Sequence, residues 1–182
     1  MSFDLSLSPE TIQEYANASD RNLTAPSGPE ENPTFHGGKE AGLGTWTEVV
    51  KIHNTAITPV KSDPNNPNKF NFVLTLVVQG PDNQGFKTNA GRTHNEYMYI
   101  DKVGLASSDP KTSGGYKRRL STVNSLLSAC GADLAAGISS YAAFFEADKP
   151  LVGRTVAAIF RKYRNAKTGE TGCSIDGFMA VN

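Results

Sequence analysis

One stretch of this chain, residues 70–78, limits what the protein can fold into more than any other. Every second position in it is large and apolar: Phe70, Phe72, Leu74, Leu76 and Val78. A period of two is typical of a β-strand that packs one face against a core. A similar alternation recurs at 92–100, and β-branched residues are frequent at 46–58. We therefore expect three consecutive strands.

Beyond these strands the apolar period changes to three or four residues, which predicts a helix at 116–130. Its apolar stripe consists of Leu120, Val123, Leu127 and Cys130. Gly131 follows where a left-handed cap is expected, and we interpret 111–115 as a glycine-rich linker into the helix. A weaker helical stretch covers 139–147. Strand patterns return at 154–164 and 171–179, joined by a turn that contains Gly169.

Three strands, a helical insert and a two-stranded hairpin follow the order of an oligonucleotide/oligosaccharide-binding (OB) domain, a small and partly open five-stranded barrel. A β-sandwich would need about seven strands. We predict a mostly-β OB-type domain at 45–182. Residues 1–44 are rich in proline and glycine and read as an acidic, partly flexible N-terminal arm, with one short helix at 8–16.

The net charge of zero hides an asymmetry between the two parts of the chain. Residues 1–48 contain eight acidic and two basic side chains, a net charge of −6, and residues 49–182 carry a net charge of +6. A basic body attracts polyanions such as nucleic acid. The alternative is a solvated surface with chance clustering of charge.

Other classes of protein find little support in the sequence. There is no apolar run of about 18 residues to span a membrane and no secretory leader pattern at residues 1–10. We therefore expect the chain to be cytoplasmic and its two cysteines, Cys130 and Cys173, to be free thiols in that reducing compartment. The chain lacks the motifs of serine hydrolases, P-loop proteins and zinc proteases. We expect no enzymatic activity, no metal and no cofactor.

Several pieces of the chain, taken in order, are similar to a family of phage-encoded OB-fold proteins that bind single-stranded DNA. They are the segment 42–46 before the first strand, the Leu-Val-Gly-Arg sequence at 151–154, and the Ile-Asp-Gly-Phe ending at 175–178. The resemblance covers about 42–180. It implies binding of single-stranded DNA with little sequence preference, in phage DNA replication or recombination within the host cytoplasm.

The sequence does not decide between several partners and functions. The acidic arm would offer itself to replication or recombination proteins, and a homo-oligomer is possible. One alternative is a virion or host-takeover module that uses the barrel only as a scaffold for protein contacts. Another is a nuclease subunit whose active site lies in a different chain.

The clearest candidate binding segment interleaves basic and aromatic residues on the fourth strand. Cations neutralise phosphates and aromatic faces stack on bases of any identity, and the hairpin after this strand is a loop that OB domains use for oligonucleotides. The residues are Arg154, Arg161, Lys162, Tyr163, Arg164 and Lys167. Alternation places Arg161 and Tyr163 on one side and Lys162 and Arg164 on the other. The alternative is a solvated hairpin edge.

Further candidates come from the third strand and the loops. Tyr97 and Tyr99 would face a ligand if Met98 and Ile100 point inward, although Glu96 would then share the inward face. Four loop-edge cations are expected to follow a DNA backbone around one mouth of the barrel: Lys61, Lys69, Lys87 and Arg92. The run 117–119 places three cations at the predicted helix start, against the helix dipole, which suggests phosphate or subunit contact. Trp46 reads as a core or lid residue.

Overall fold

A computed structural model describes residues 45–80, 89–132, 141–164, 167–169 and 171–181, with the backbone alone at 142, 164 and 171. The N-terminal arm with its expected helix at 8–16, the side chain of Arg164 and the whole of Lys87 lie outside the described residues. Within the described ranges, no helix is long and apolar enough to cross a membrane.

The described residues form five strands and three helices, as the alternating and helical patterns predict in outline. The strands are β1 (Thr45–Pro59), β2 (Lys69–Gly80), β3 (Thr93–Asp101), β4 (Thr155–Arg164) and β5 (Thr171–Met179). The helices are α1 (Lys102–Leu105), α2 (Pro110–Ala129) and α3 (Ala142–Phe145), all between β3 and β4. The helical stretch expected at 139–147 is thus a single turn where it is described.

All five strands join one antiparallel sheet in the order β3-β2-β1-β4-β5. Strand β1 pairs with β4 along its first half, Thr45 to Lys51, and with β2 from Val49 onward. Its register against β2 shifts twice, between Val49 and Val50 and between Ile52 and Asn54. Irregularities of this kind bend a strand and increase its twist, so β1 passes from one half of the sheet to the other.

The core lies on the face that the sequence alternation predicts. The five alternating apolar residues of β2 are each 3% exposed or less, and helix α2 buries Leu120, Val123, Leu126 and Leu127 against the sheet. Trp46 is buried and stacks on Phe160, with ring centroids 5.5 Å apart. The interpretation of Trp46 as a core or lid residue is confirmed.

Strands β3 and β5 are the two edges of the sheet, and side chains connect them. Glu96 on β3 accepts a hydrogen bond from the backbone N–H of Ile175 on β5, at 3.2 Å. The same carboxylate oxygen lies 2.8 Å from Nε2 of His94, which is buried. Helix α2 packs against both β3 and β5. The two edges are therefore held near each other without pairing in the described sheet.

Helix α2 begins six residues before the predicted start, so the interpretation of 111–115 as a linker is wrong. Asp109 caps the helix by accepting hydrogen bonds from the Lys111 N–H at 3.0 Å and the Thr112 hydroxyl at 2.7 Å. Pro110 takes the first helical position, where its missing N–H costs nothing. These two start signals outweigh the weak helix propensity of the glycines that follow. At the other end Gly131 has φ of 73°, as predicted.

Candidate nucleic-acid interface

A cleft of about 520 Å³ lies where the edges β3 and β5 approach each other beside helix α2. Its walls come from β3, from one face of α2, from the end of β4 and from β5. We call it the arginine cleft, after the three arginines that line it. Its charged and aromatic lining side chains include Tyr97, Glu96, Arg118, Arg119, Arg161, Tyr163 and Asp176.

Helix α2 supplies two of the arginines. The positions that line the cleft, Gly115, Arg118, Arg119 and Thr122, repeat at spacings of three and four and so share one helix face. This face lies away from the apolar stripe that packs on the sheet. Because the helix starts at Pro110, the basic run 117–119 lies in its middle rather than at its first turn. The expected opposition to the helix dipole therefore does not exist.

A β-bulge on β5 directs Asp176 toward the arginines. Gly177 pairs with Ile159 and Ile175 pairs with Phe160, which leaves Asp176 without an opposite residue on β4. An extra residue of this kind re-aims a side chain. Its Oδ1 atom lies 2.5 Å from Nη2 of Arg118 and 3.3 Å from Nε of Arg161. One carboxylate oxygen thus lies between two guanidinium groups.

The strand phase predicted for β3 is confirmed. Met98 and Ile100 point inward and are 2% and 1% exposed, whereas Tyr97 is 61% exposed. Glu96 does share the inward side, but its carboxylate is satisfied by His94 and the Ile175 N–H, so it does not conflict with this phase. Tyr97 presents an open aromatic face at the cleft.

Tyr99 differs from Tyr97 because a helix covers it. Its ring meets the edge of Tyr116 on α2, with centroids 5.6 Å apart. Burial raises the pKa of the Tyr99 hydroxyl above its ordinary value. Arg119 in turn lies 5.8 Å from the centroid of the Tyr116 ring, a distance at which cation–π attraction acts. Tyr99 is therefore part of a packed aromatic cluster rather than a free stacking platform.

Tyr163 is the second exposed aromatic of the cleft, and a glycine positions it. The side chain is 44% exposed, and its ring lies across Gly172, its register partner on β5. A Cβ atom at Gly172 would lie 2.5 Å from the ring carbon Cζ. The ring rests directly on backbone, and only glycine leaves room for it there.

Arg161 and Tyr163 lie on the same side of β4, as predicted, and this side faces the cleft. Lys162 lies on the other side and is buried. It is 4% exposed and lies opposite Cys173 in the register. Strand alternation places it on the side of the buried Phe160. Within the described residues its Nζ atom has no hydrogen-bond partner. Lys162 is therefore buried rather than on the cleft surface, because at this end of β4 the inward face continues one residue further than the basic run suggests, and its contact with nucleic acid stays a prediction.

Arg154 is exposed but distant from the cleft. It precedes β4, seven residues before Arg161, and a strand of that length spans about 23 Å. The five basic residues between 154 and 167 are thus divided between the two ends of the strand. Lys167 is exposed in the turn between β4 and β5.

The described loop-edge cations lie at both ends of β2 rather than together at one end. Lys61 and Lys69 lie at the β1–β2 end of β2, and Arg92 lies at its other end, beside Val78. Eight residues of strand, about 26 Å, separate these ends. Lys69 is also paired with Asp63 at 3.0 Å. The hydrogen bond to Asp63 raises the pKa of Lys69. Hydrogen bonds from Asn66, the larger effect, and from Lys69 lower the pKa of Asp63. The expectation of a single ring is wrong for these three residues.

Sequence analysis missed two residues that shape the cleft, Asp176 and Gly172, whereas Arg118 and Arg119 belong to the run 117–119 for which it suggested phosphate or subunit contact. The basic run on the helix was a usable signal, because positions 115, 118, 119 and 122 avoid the apolar stripe. Nothing in the sequence pattern indicates the bulge at Asp176 or the contact between Tyr163 and Gly172. Both depend on the register of β4 against β5.

Cys130 and Cys173 are free thiols, as predicted, and burial raises the pKa of both. No model of a protein family matches the chain, and no curated protein matches it.

Proposed function

We propose that this chain is an OB-type protein that binds single-stranded DNA with little sequence preference, and that the arginine cleft holds the strand. One observation carries the proposal: three arginines and two exposed tyrosines, contributed by three different elements, line the same cleft. Separate solvated surfaces would not require cations and aromatic faces to converge in this way.

The topology supports the OB part of the proposal. In the order β3-β2-β1-β4-β5 with the helices between β3 and β4, bringing β3 and β5 together closes a five-stranded barrel. Glu96 bridges that gap through the Ile175 N–H. This agrees with the resemblance to phage-encoded OB-fold proteins, in pieces that run from 42 to 178.

The chemistry of the cleft suits a single strand rather than a particular sequence. Guanidinium groups recognise phosphate oxygens through paired N–H donors. Tyrosine faces stack on unpaired bases whatever their identity, which a duplex with buried bases does not offer. We propose a binding role in phage DNA replication or recombination, in the host cytoplasm, with no catalytic step.

The sharpest test compares two arginines on the same strand. Arg161→Ala removes a cleft cation, and Arg154→Ala removes an equal charge from the opposite end of β4. Charge-assisted hydrogen bonds contribute roughly 1.5–3 kcal/mol, so we expect Arg161→Ala to weaken binding of labelled oligo-dT about tenfold or more. Arg154→Ala should change it less than about twofold.

Thermal unfolding of both variants checks that each remains folded. Equal losses in the two variants would mean that DNA senses only the overall charge, and the cleft would not be its site. If the wild-type protein binds no oligo-dT at low salt, the proposal fails, and a protein-interaction module becomes the better description.

A further inference from the structure

The carboxylate of Asp176 occupies the centre of the cationic part of the cleft. We propose that Asp176 is a built-in competitor for DNA phosphate: in the free protein it takes the position that a backbone phosphate takes in the complex. This inference rests on the proposed function and specifies how the cleft sets its affinity.

The geometry around Asp176 is that of a bound anion. One oxygen accepts a hydrogen bond from Arg118 on the helix at 2.5 Å and forms an ion pair with Nε of Arg161 on the strand at 3.3 Å, a nitrogen that makes no hydrogen bond within the described residues. A phosphate oxygen between two guanidinium groups makes the same type of contact.

The position of Asp176 is fixed by the backbone rather than by the ion pairs. The bulge opposite Ile159 and Phe160 turns the residue out of the ladder. The Thr122 hydroxyl on α2 donates a hydrogen bond to the carbonyl oxygen of Asp176 at 3.2 Å. We therefore expect the main chain to keep its position when the side chain changes, so that a substitution at 176 tests charge rather than fold.

The arginines remain able to take a second anion. Their side chains are 38% and 39% exposed, so solvent and ligands reach them. Each guanidinium has five N–H donors and approaches Asp176 through one nitrogen. An incoming phosphate can engage the other donors and then displace the carboxylate. The cost of that exchange lowers affinity and eases release of the strand.

The test removes the charge of Asp176 and compares it with an equal loss elsewhere. Asp176→Asn keeps the size and an acceptor oxygen, and Asp63→Asn is the control, because Asp63 also pairs with a cation but lies in the β1–β2 loop and does not line the cleft. A unit charge about 5 Å from a phosphate in water changes affinity by about three- to fivefold. We expect Asp176→Asn to bind oligo-dT that much more tightly at low salt, with the gain shrinking as salt rises.

Two more variants keep the result interpretable. Asp176→Ser should show the same gain, and Asp176→Glu, which retains the charge, should show none. If the wild-type protein binds oligo-dT but Asp176→Asn binds equally or more weakly, the competitor role is overturned while the proposed function stands. Failure of the wild-type protein to bind would instead overturn the proposed function.

Discussion

At the scale of single residues, Tyr163 and Gly172 show how the sheet presents an aromatic ring to solvent. An exposed tyrosine normally moves among several rotamers. Here the ring lies over a residue with no side chain on the neighbouring strand, and a Cβ there would be 2.5 Å from its Cζ. Gly172 thus leaves room for the Tyr163 ring to lie against the backbone of β5.

We predict that Gly172→Ala weakens binding of oligo-dT about three- to tenfold by displacing the Tyr163 ring, since stacking of one base contributes roughly 1–3 kcal/mol. The net charge is unchanged, so the dependence of affinity on salt should stay as in the wild-type protein. Gly114→Ala is the matched control, because a Cβ at Gly114 meets nothing within 4 Å.

Gly114 lies in helix α2, where alanine is favoured over glycine, so the control should retain affinity and gain about 0.4–1 kcal/mol in free energy of unfolding. Titrations and thermal unfolding of both variants measure these effects. An unchanged affinity in Gly172→Ala would show that Tyr163 does not stack on the strand.

Residue-scale features were also the hardest to predict from sequence. Alternation correctly placed Arg161 and Tyr163 on one side of β4, because a strand has a strict period of two. It did not reveal that the opposite side of β4 remains buried as far as Lys162, near the end of the strand. Which face is covered depends on neighbouring elements, and the pattern of one strand carries no information about them.

At the scale of elements, helix α2 matters most, because it carries Arg118 and Arg119 and packs on both sheet edges. The apolar stripe correctly predicted the central part of this helix, and Gly131 correctly predicted where it ends. Its start was missed because the two glycines at 114 and 115 resemble a linker. The helix instead begins after Asp109, whose carboxylate accepts hydrogen bonds from groups of the first turn. Capping, rather than propensity, decides where this helix begins.

We predict that Asp109→Ala lowers the melting temperature at neutral pH, and that the difference from the wild-type protein narrows below about pH 4. Hydrogen bonds, first from the Thr112 hydroxyl and then from the Lys111 N–H, hold the pKa of Asp109 below its ordinary value of 3.8. A carboxyl with a lowered pKa stabilises the fold fully above its unfolded pKa. That contribution is lost as the pH falls through the lower pKa of the folded state.

Thermal unfolding followed by circular dichroism between pH 3 and pH 7 measures this difference. Asp109→Asn keeps a capping oxygen that does not titrate, so it should retain most of the cap at pH 7 and show a smaller change toward pH 3. A constant difference between Asp109→Ala and the wild-type protein over this range would contradict the role of the charged carboxylate.

At the scale of the whole molecule, the order of elements was predictable because the spacing of apolar residues changes at each boundary between strand and helix. Three strands, a helical insert and a hairpin follow from that pattern alone. The cleft does not, because it forms only when β3, α2 and β5 meet, and these are separated by about 20 to 80 residues in sequence. The charge asymmetry indicated a basic body but not that its arginines converge.

The salt dependence of oligo-dT binding by the full-length protein tests the central claim most directly. Each phosphate contact with single-stranded nucleic acid contributes about −0.7 to the slope of log affinity against log salt concentration. Three cleft arginines predict a slope of about −2, with duplex DNA of the same length bound more weakly. Absence of binding at the lowest salt, or an affinity for oligo-dT that does not change with salt, would contradict the account.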